Sequence, residues 1–549
     1  MGKAMTRRSF AGLMVIAAGS AVAAASGCSP SSNGDGSAIG EGEVVGTSDL
    51  VVIGAGAAGL AGAAAAAQSG ASVIVLEANS MTGGTTSISG GHYKFMDDDL
   101  LALLPERTED SDAVLEAFLD YDPADFDDYG EALSTLQEQI TEYLASDDTQ
   151  EFDSLEYWLI LHYLECTSSE LDPDGVVVAP PYELIYPAYA NQAEIKDWLV
   201  EGGFEYEAFG DNAESGGPFS VNPTGPSEQG AAYITILQGY AEDAGVEIVT
   251  KATATALLEE DGRITGVQTS GGDIYLANQG VLLAAGGFAS SSELVAEEDV
   301  RWDVYAEGLS SCEPTTNDGT ALEAAQAVGA ATANLGFTQY QTFPASGVAS
   351  IETTIPMCMA AKMVVNQEGV RFCDDSTRFA TQSAMVSLGQ TDNVYYMIGD
   401  SSGIETMGEL YDSYLNTGDL TVGDTVEEAA EAAGLDGAAV AATVELYNSY
   451  VEAGSDPDFG REFSDSDSIV DGAPYTVMAM REYVQHTMGG VVIDATGHVV
   501  DEDGSAIEGL FAAGEVVGNL DGAQRRHGDN FAQILYYGCL AGRTVADAV

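Results

Sequence analysis

The stretch DLVVIGAGAAGLAGAAAAAQSGASVIVLEANS, residues 49–80, decides the fold. Leu50–Ile53 is an apolar run of strand character, and Gly54, Gly56 and Gly59 spell G-x-G-x-x-G. The alanine-rich segment to Ser69 reads as a helix, and Val73–Leu76 reads as a second strand ending in Glu77. Glycines between a strand and a helix permit a tight turn and bring backbone N–H groups against a pyrophosphate at the helix N-terminus. A carboxylate closing the second strand accepts ribose hydroxyls. The glycine motif alone is weak evidence. In this setting it predicts a Rossmann-like α/β domain with Gly54, Gly56, Ala57, Ala58, Gly59, Glu77 and Ala78 around a dinucleotide. The alanine run is read as a packing helix.

Further segments choose between dinucleotides. MTGGTTSISGG (81–91) is a second glycine-rich turn directly after the acid, offering Gly84, Thr85, Thr86, Ser89, Gly90 and Gly91. QGVLLAAGGF (279–288) runs a strand into Ala285 and Gly286, and GLFAAGEVVG (509–518) brings Glu515. Three separated backbone segments suit a large, permanently bound cofactor better than an exchangeable one, which points to FAD. Ala254, Asp318 and Ile534 complete the expected cofactor contacts.

The chain has 549 residues, 45% of them hydrophobic, enough for a sizeable core in two to four structural units. Its 88 acidic and 17 basic side chains give a formal charge of −71, which excludes nucleic acid as a partner because phosphate backbones need clustered Lys and Arg. The acidity reads as a solvated surface or as steering of a basic partner such as an electron-transfer protein.

Residues 1–28 read as a twin-arginine signal peptide: TRRSF (6–10) precedes an apolar run too short for a permanent span. Residues 29–47 read as a flexible linker. Cys28 follows small residues and precedes polar chain, as lipid-modified cysteines do, so a lipid anchor there is an expectation. The expected location is periplasmic or on the outer face of the cytoplasmic membrane. The other five cysteines form no CxxC or CxxCH, which leaves no haem c attachment site, iron–sulfur ligand set or evident disulfide framework.

From Asp49 onward the chain resembles the flavoprotein subunits of the fumarate reductase and succinate dehydrogenase family, particularly the soluble fumarate and urocanate reductases, with 3-oxosteroid dehydrogenases as cousins. The resemblance rests on the fingerprint, VVNQEGVRF (364–372), LYNSYVEAGSDPDFGR (446–461), HTMGGVVID (486–494) and GLFAAGEVVG, all in family order. It implies an FAD domain from residues 48–337 and 487–549, with an α+β clamp domain, 338–486, inserted between. It also implies non-covalent FAD, since GGTTSISGG lacks the histidine that attaches the cofactor in membrane-bound relatives. Residues 427–453 read as one helix ended by the loop AGSDPDFG. Residues 97–153 read as acidic surface helices packed on the FAD domain.

The resemblance assigns substrate binding to His486 and makes Arg525, in GAQR (522–525), the holder of a substrate carboxylate. A guanidinium fork suits that role. The triplet Arg525, Arg526 and His527 is expected to floor an anion site; a surface cluster paired with Asp521 and Asp529 is the other reading. Arg378, in RFCDDSTRF (371–379), stands one residue early for the family's proton-delivering arginine, and an ion pair with Asp374 or Asp375 explains it as well. Tyr536 is the alternative acid, beside Tyr537, although core packing explains both. Phe343, in FPA (343–345), replaces a histidine that holds a second carboxylate in fumarate reductases, and IETTIPMCMAAKM (351–363) lacks the family's relay. A second carboxylate facing Phe343 would be desolvated and unpaired. The expected substrate is therefore a small enoate or enone with one anionic end and an apolar or aromatic tail, flanked by Phe343 and Tyr340 or leaving them as clamp core.

No second dinucleotide fingerprint and no metal-ligand set appear, so electrons are expected from an external, membrane-associated cytochrome or quinol-oxidising partner. The leading function is an exported FAD-dependent C=C reductase serving anaerobic respiration. A ketosteroid-type desaturase and a non-catalytic flavin-binding lipoprotein are the alternatives.

Overall fold

The computed structural model describes residues 42–549 except 168–177, 210–219, 299–309, 348–357, 359, 376–389, 391–393, 409, 462, 464–469, 527 and 529. Arg378 and the signal and anchor residues lie outside the described residues.

The fingerprint forms a strand–helix–strand unit: β1 (Glu43–Ile53), α1 (Ala57–Gln68) and β2 (Val73–Glu77). β1 and β2 pair in parallel, with Leu50 opposite Val73 and Ile53 opposite Leu76. β1 also pairs in parallel with Asp273–Leu283, and β2 with Glu247–Thr250. Ala506–Ala512 joins Asp273–Leu283 from the far end of the sequence, with Leu510 opposite Val281. All five β2 side chains are buried, as expected of a parallel strand covered on both faces. β1 begins at Glu43, inside the expected linker, because Glu43–Ser48 pair with Asp273–Ala277 and are thereby part of the sheet.

The alanine run has a specific partner. Ten of the twelve residues of α1 are buried, and it packs along the C-terminal helix Asn530–Asp547. A Cβ at Gly538 would lie 2.4 Å from Ala58 O, and one at Gly542 would lie 2.2 Å from Gly62 O. Small residues on both helices are what allow this approach.

A second, antiparallel sheet runs Thr338–Pro344, Tyr475–Thr487, Val394–Gly399, Ala361–Val365, with Leu420–Gly423 also on Tyr475–Thr487. Its strands alternate between two cores. Val364, Met397 and Met478 enter one, while Met363, Val365, Ile398 and Val477 enter the other with Val440 and Tyr447. The expected single helix over 427–453 is two helices, Val426–Ala432 and Gly437–Ala453. Gly434, at φ 85°, turns the chain left-handed between them, and Asp436 caps the second by accepting from Ala439 N at 3.1 Å. The 97–153 segment holds the expected helices, and the longest, Gly130–Leu144, buries Leu133, Leu136 and Ile140 on one stripe. Among the described residues no helix is long and apolar enough to cross a membrane.

Candidate active site

At the C-terminal ends of β1 and β2 lies a cavity of about 650 Å³. In doubly wound sheets this is where the strand order reverses and ligands bind. Gly54, at φ 101°, lets the chain leave β1 against Ala284, whose carbonyl oxygen would sit 2.3 Å from any Cβ there. A Cβ at Gly56 would meet nothing nearer than Thr86 Oγ1 at 3.8 Å, so the backbone faces open cavity. Glu77 closes β2 with Oε2 accepting from Ala55 N at 2.9 Å and Oε1 from Asn79 N at 2.7 Å. Thr86 Oγ1 accepts from Ala57 N at 3.2 Å, joining the two glycine-rich turns.

Of the residues expected at a cofactor, Gly54, Gly56, Ala57, Ala58, Glu77 and Ala78 line this cavity. So do Gly84, Thr85, Thr86 and Ser89, then Ala254, Ala285 and Gly286, and finally Asp318, Glu515 and Ile534. An elongated, glycine-walled cradle of this size with a carboxylate at the β2 end fits a dinucleotide. Three expected residues do not line it. A Cβ on Gly59 would lie 2.0 Å from Gly54 O, so this glycine serves the packing of α1 on the turn. Gly91, at φ 72°, abuts the Gln229–Gly230 backbone, and Gly90 is buried beside it.

The other wall is built from charged side chains. The strand Tyr475–Thr487 delivers His486, whose Nδ1 lies 3.3 Å from Glu515 Oε1 and whose Nε2 lies 3.6 Å from Asp521 Oδ2. Arg525 Nε donates to Gln339 Oε1 and Nη1 to Asn530 Oδ1, both at 2.9 Å. Burial lowers the Arg525 pKa, opposed by Asp521, Glu515 and Glu313. Phe343 also lines the cavity and meets Tyr483 edge-on at 5.6 Å.

The basic triplet divides. Arg526 turns to Glu165, with Nη1 3.1 Å from Oε1, and His527 lies outside the described residues. Of the expected three-residue anion floor, Arg525 is thus the member that the described residues place at the cavity. Tyr536 is absent from the cavity lining and packs edge-on against Tyr537 at 5.1 Å. The helix turns Phe531 and Ile534 to the cavity, and Tyr536, two residues on from Ile534, leaves that face. Tyr340 also lies off the lining, with its hydroxyl 3.0 Å from Thr338 Oγ1. Asp375 is engaged by Arg371 and Arg461 at 2.7 and 2.8 Å.

Several cavity residues carried no signal in the sequence. Glu313 is bonded by Thr85 Oγ1 and lies 3.4 Å from Asn317 Nδ2, which also donates to Glu515 Oε2 at 3.2 Å. Burial first, then the neighbouring Glu515, push the Glu313 pKa up to about 8. Gln485 lines the cavity together with His486, although neighbours on a strand normally point to opposite faces. The pairing explains it: Gln339 is opposite His486 and Tyr340 opposite Val484, so Gln485 is the extra residue of a β-bulge. Among the described residues no hydrogen bond reaches Gln485 Oε1 or Asn317 Oδ1. From the clamp side come Ser413, Tyr414 and Thr417.

Comparison with known proteins agrees with this geometry. The family model for an FAD binding domain matches residues 49–530. The chain is 28% identical over 515 residues to an NADH:acrylate oxidoreductase of Vibrio harveyi, covering 91% of this chain and 50% of that protein, so it spans half of that relative's length. It is 27% identical over 517 residues to a urocanate reductase of Eggerthella lenta, covering 91% and 74% respectively. In fold it is similar to the open conformation of a flavocytochrome c3 fumarate reductase, with a TM-score of 0.71 at 24% identity, covering 92% of this chain and 79% of that one.

Proposed function

The chain belongs to the FAD binding domain family, and from that premise we propose that it reduces the activated C=C bond of an enoate or enone with one anionic end and an apolar or aromatic tail. One observation carries this reading. Among the described residues lining the cavity, Arg525 is the sole guanidinium or ammonium, and Phe343, which the resemblance aligns with a histidine that holds a second carboxylate, lines it too. The reductase chemistry is supported by relatives whose names state acrylate and urocanate as substrates.

FAD, when bound, supplies hydride to one alkene carbon. Arg525 binds the anionic end, held in place by Gln339 and Asn530, and His486 orients it from between Glu515 and Asp521. The proton for the other carbon is assigned to Arg378. Tyr414 takes the place of Tyr536 as the alternative phenol, because it lines the cavity. Phe343 excludes water and a second carboxylate from the tail end. Export by the twin-arginine route, a lipid anchor at Cys28 and an external cytochrome- or quinol-linked electron donor complete the proposal.

The test is anaerobic oxidation of reduced viologen by the FAD-loaded protein with fumarate, urocanate, cinnamates and enones. Oxidation with an aryl-acrylate and not with fumarate is expected. Fumarate as the best substrate would overturn the argument from Phe343. Silence despite reducible flavin would favour desaturation or flavin binding alone.

A further inference from the structure

Behind the loop that carries Arg525 lies a buried group of three side chains, of which only Asp521, facing His486 at 3.6 Å, has a part in the substrate site. Helix Leu155–Cys166 is buried nearly all round, eight of its twelve residues being out of solvent. His162 and Cys166 stand one turn apart on one face of it, both 0% exposed. Asp521, 5% exposed, enters from the Arg525 loop. One ligating atom from each of the three lies within 4.8 Å of the others.

The spacing suits a shared centre. Cys166 Sγ is 3.6 Å from each ring nitrogen of His162. Zn–S and Zn–N bonds of about 2.3 and 2.0 Å at a tetrahedral angle separate sulfur from nitrogen by about 3.5 Å. The Tyr189 hydroxyl sits 2.7 Å from His162 Nδ1. Metal-bound histidines carry such a partner on the nitrogen that does not ligate, where it fixes the tautomer, so Nε2 is the ligating atom here. Burial raises the Cys166 pKa, opposed by His162, and Asp521 adds a buried carboxylate beside it. A cation among the three turns two desolvated acids into ligands.

We propose that His162, Cys166 and Asp521 bind a single transition-metal ion, with Zn²⁺ the best fit to one nitrogen, one sulfur and one oxygen donor. On binding, Cys166 releases its thiol proton to solvent, so affinity rises with pH. The ion acts by position. Ala523 N and Gln524 N already donate to Cys166 O at 2.8 and 3.3 Å, and Arg526 pairs with Glu165. Coordination adds a fourth tie between this helix and the Arg525 loop, and it draws the Asp521 charge away from His486.

The experiment uses the full FAD-loaded chain. Metal analysis is expected to find one ion per chain. After chelation, added Co²⁺ is expected to give the intense near-ultraviolet band of a thiolate ligand. Cys166→Ser should abolish that band and His162→Gln should weaken Co²⁺ binding at least tenfold, with flavin retention reporting that each variant is folded. The wild-type titration stands even where a variant fails to fold. Absence of bound metal together with no Co²⁺ band in the wild-type chain overturns the site and leaves a Tyr–His–Cys hydrogen-bonded cluster. Equal Co²⁺ binding by folded variants, or a Co²⁺ spectrum without sulfur character, overturns it as well.

Discussion

Two buried clusters of charge in this molecule are built to opposite ends. In the clamp, Arg371 reaches Asp375 at 2.7 Å and Asp456 at 2.9 Å, and Arg461 reaches Asp375 at 2.8 Å. Aromatic rings cover the guanidiniums: Phe459 lies 5.3 Å from Arg371 and Phe463 lies 5.1 Å from Arg461. Two cations meet two anions at short range, and folding completes the network. At the cavity Arg525 and His486 face three carboxyls, Glu313, Glu515 and Asp521, and His486 keeps 3.3 and 3.6 Å from two of them. Folding leaves that cluster short of positive charge, so it is finished by protons and ligands. The first arrangement buys rigidity and the second buys responsiveness.

The largest effect is expected from opening the closed cluster. Among the described residues, Arg371→Met leaves the Asp456 carboxylate with only backbone donors, Asp458 N at 3.0 Å and Phe459 N at 3.3 Å. Stranding one member of a buried ion network costs about 3–5 kcal/mol. A urea denaturation curve should show that loss, while the protein that remains folded binds FAD as the wild type does. A loss under about 1 kcal/mol would mean that the clamp is held by its two apolar cores instead.

At the open cluster the cost should fall on activity. If Arg525 holds the substrate anion as proposed, Arg525→Gln removes charge-assisted bonds each worth about 1.5–3 kcal/mol, so kcat/KM for an aryl-acrylate should drop about 10³-fold. The urea midpoint should move less than in Arg371→Met, because Arg525 is itself desolvated among groups that do not fully pair it. An Arg525 variant that loses stability and keeps its rate would erase the distinction between the clusters.

Local chemistry made the cofactor half of the cavity legible in the sequence. Gly54, Gly56 and Glu77 do their work within one strand–helix–strand unit, so their spacing alone announces it. The substrate half is assembled over long range: Arg525 is held by Gln339, 186 residues away, and Glu313 meets Thr85 across 228. No periodicity reports such pairings. The bulge that turns Gln485 beside His486 depends on a strand that begins at Thr338, and a one-residue offset there reverses which side chains face the cavity. Likewise Arg525 and Arg526 look equivalent in sequence and part company because Glu165 sits behind only one of them. The alanine run showed that α1 packs, but the choice of partner depended on Gly538 and Gly542 at the other end of the chain.

The smallest expected effect is a slope with pH, and its sign separates the clusters. Glu313 is buried against Glu515 and bonded by Thr85, with Asn317, Cys312 and Arg525 around it, and its pKa rises from 4.5 to about 8. Between those values the folded protein keeps a proton that the unfolded chain has lost. Stability therefore falls as pH rises through this window and levels off above it. Glu313→Gln mimics the protonated acid and removes the slope. Melting temperatures of wild type and variant, both flavin-free, should nearly coincide near pH 5 and separate by pH 8.5, with the variant higher. Asp456 runs the other way: burial opposes ionisation, but the Arg371 bond and charge together with the Asp458 and Phe459 amides outweigh it and hold the pKa below 3.8. Its contribution is present above 3.8 and is lost as pH falls below that value. Parallel melting curves for wild type and Glu313→Gln would mean that the cavity cluster is already balanced without ligand, and the contrast with the clamp would fail at its most specific point.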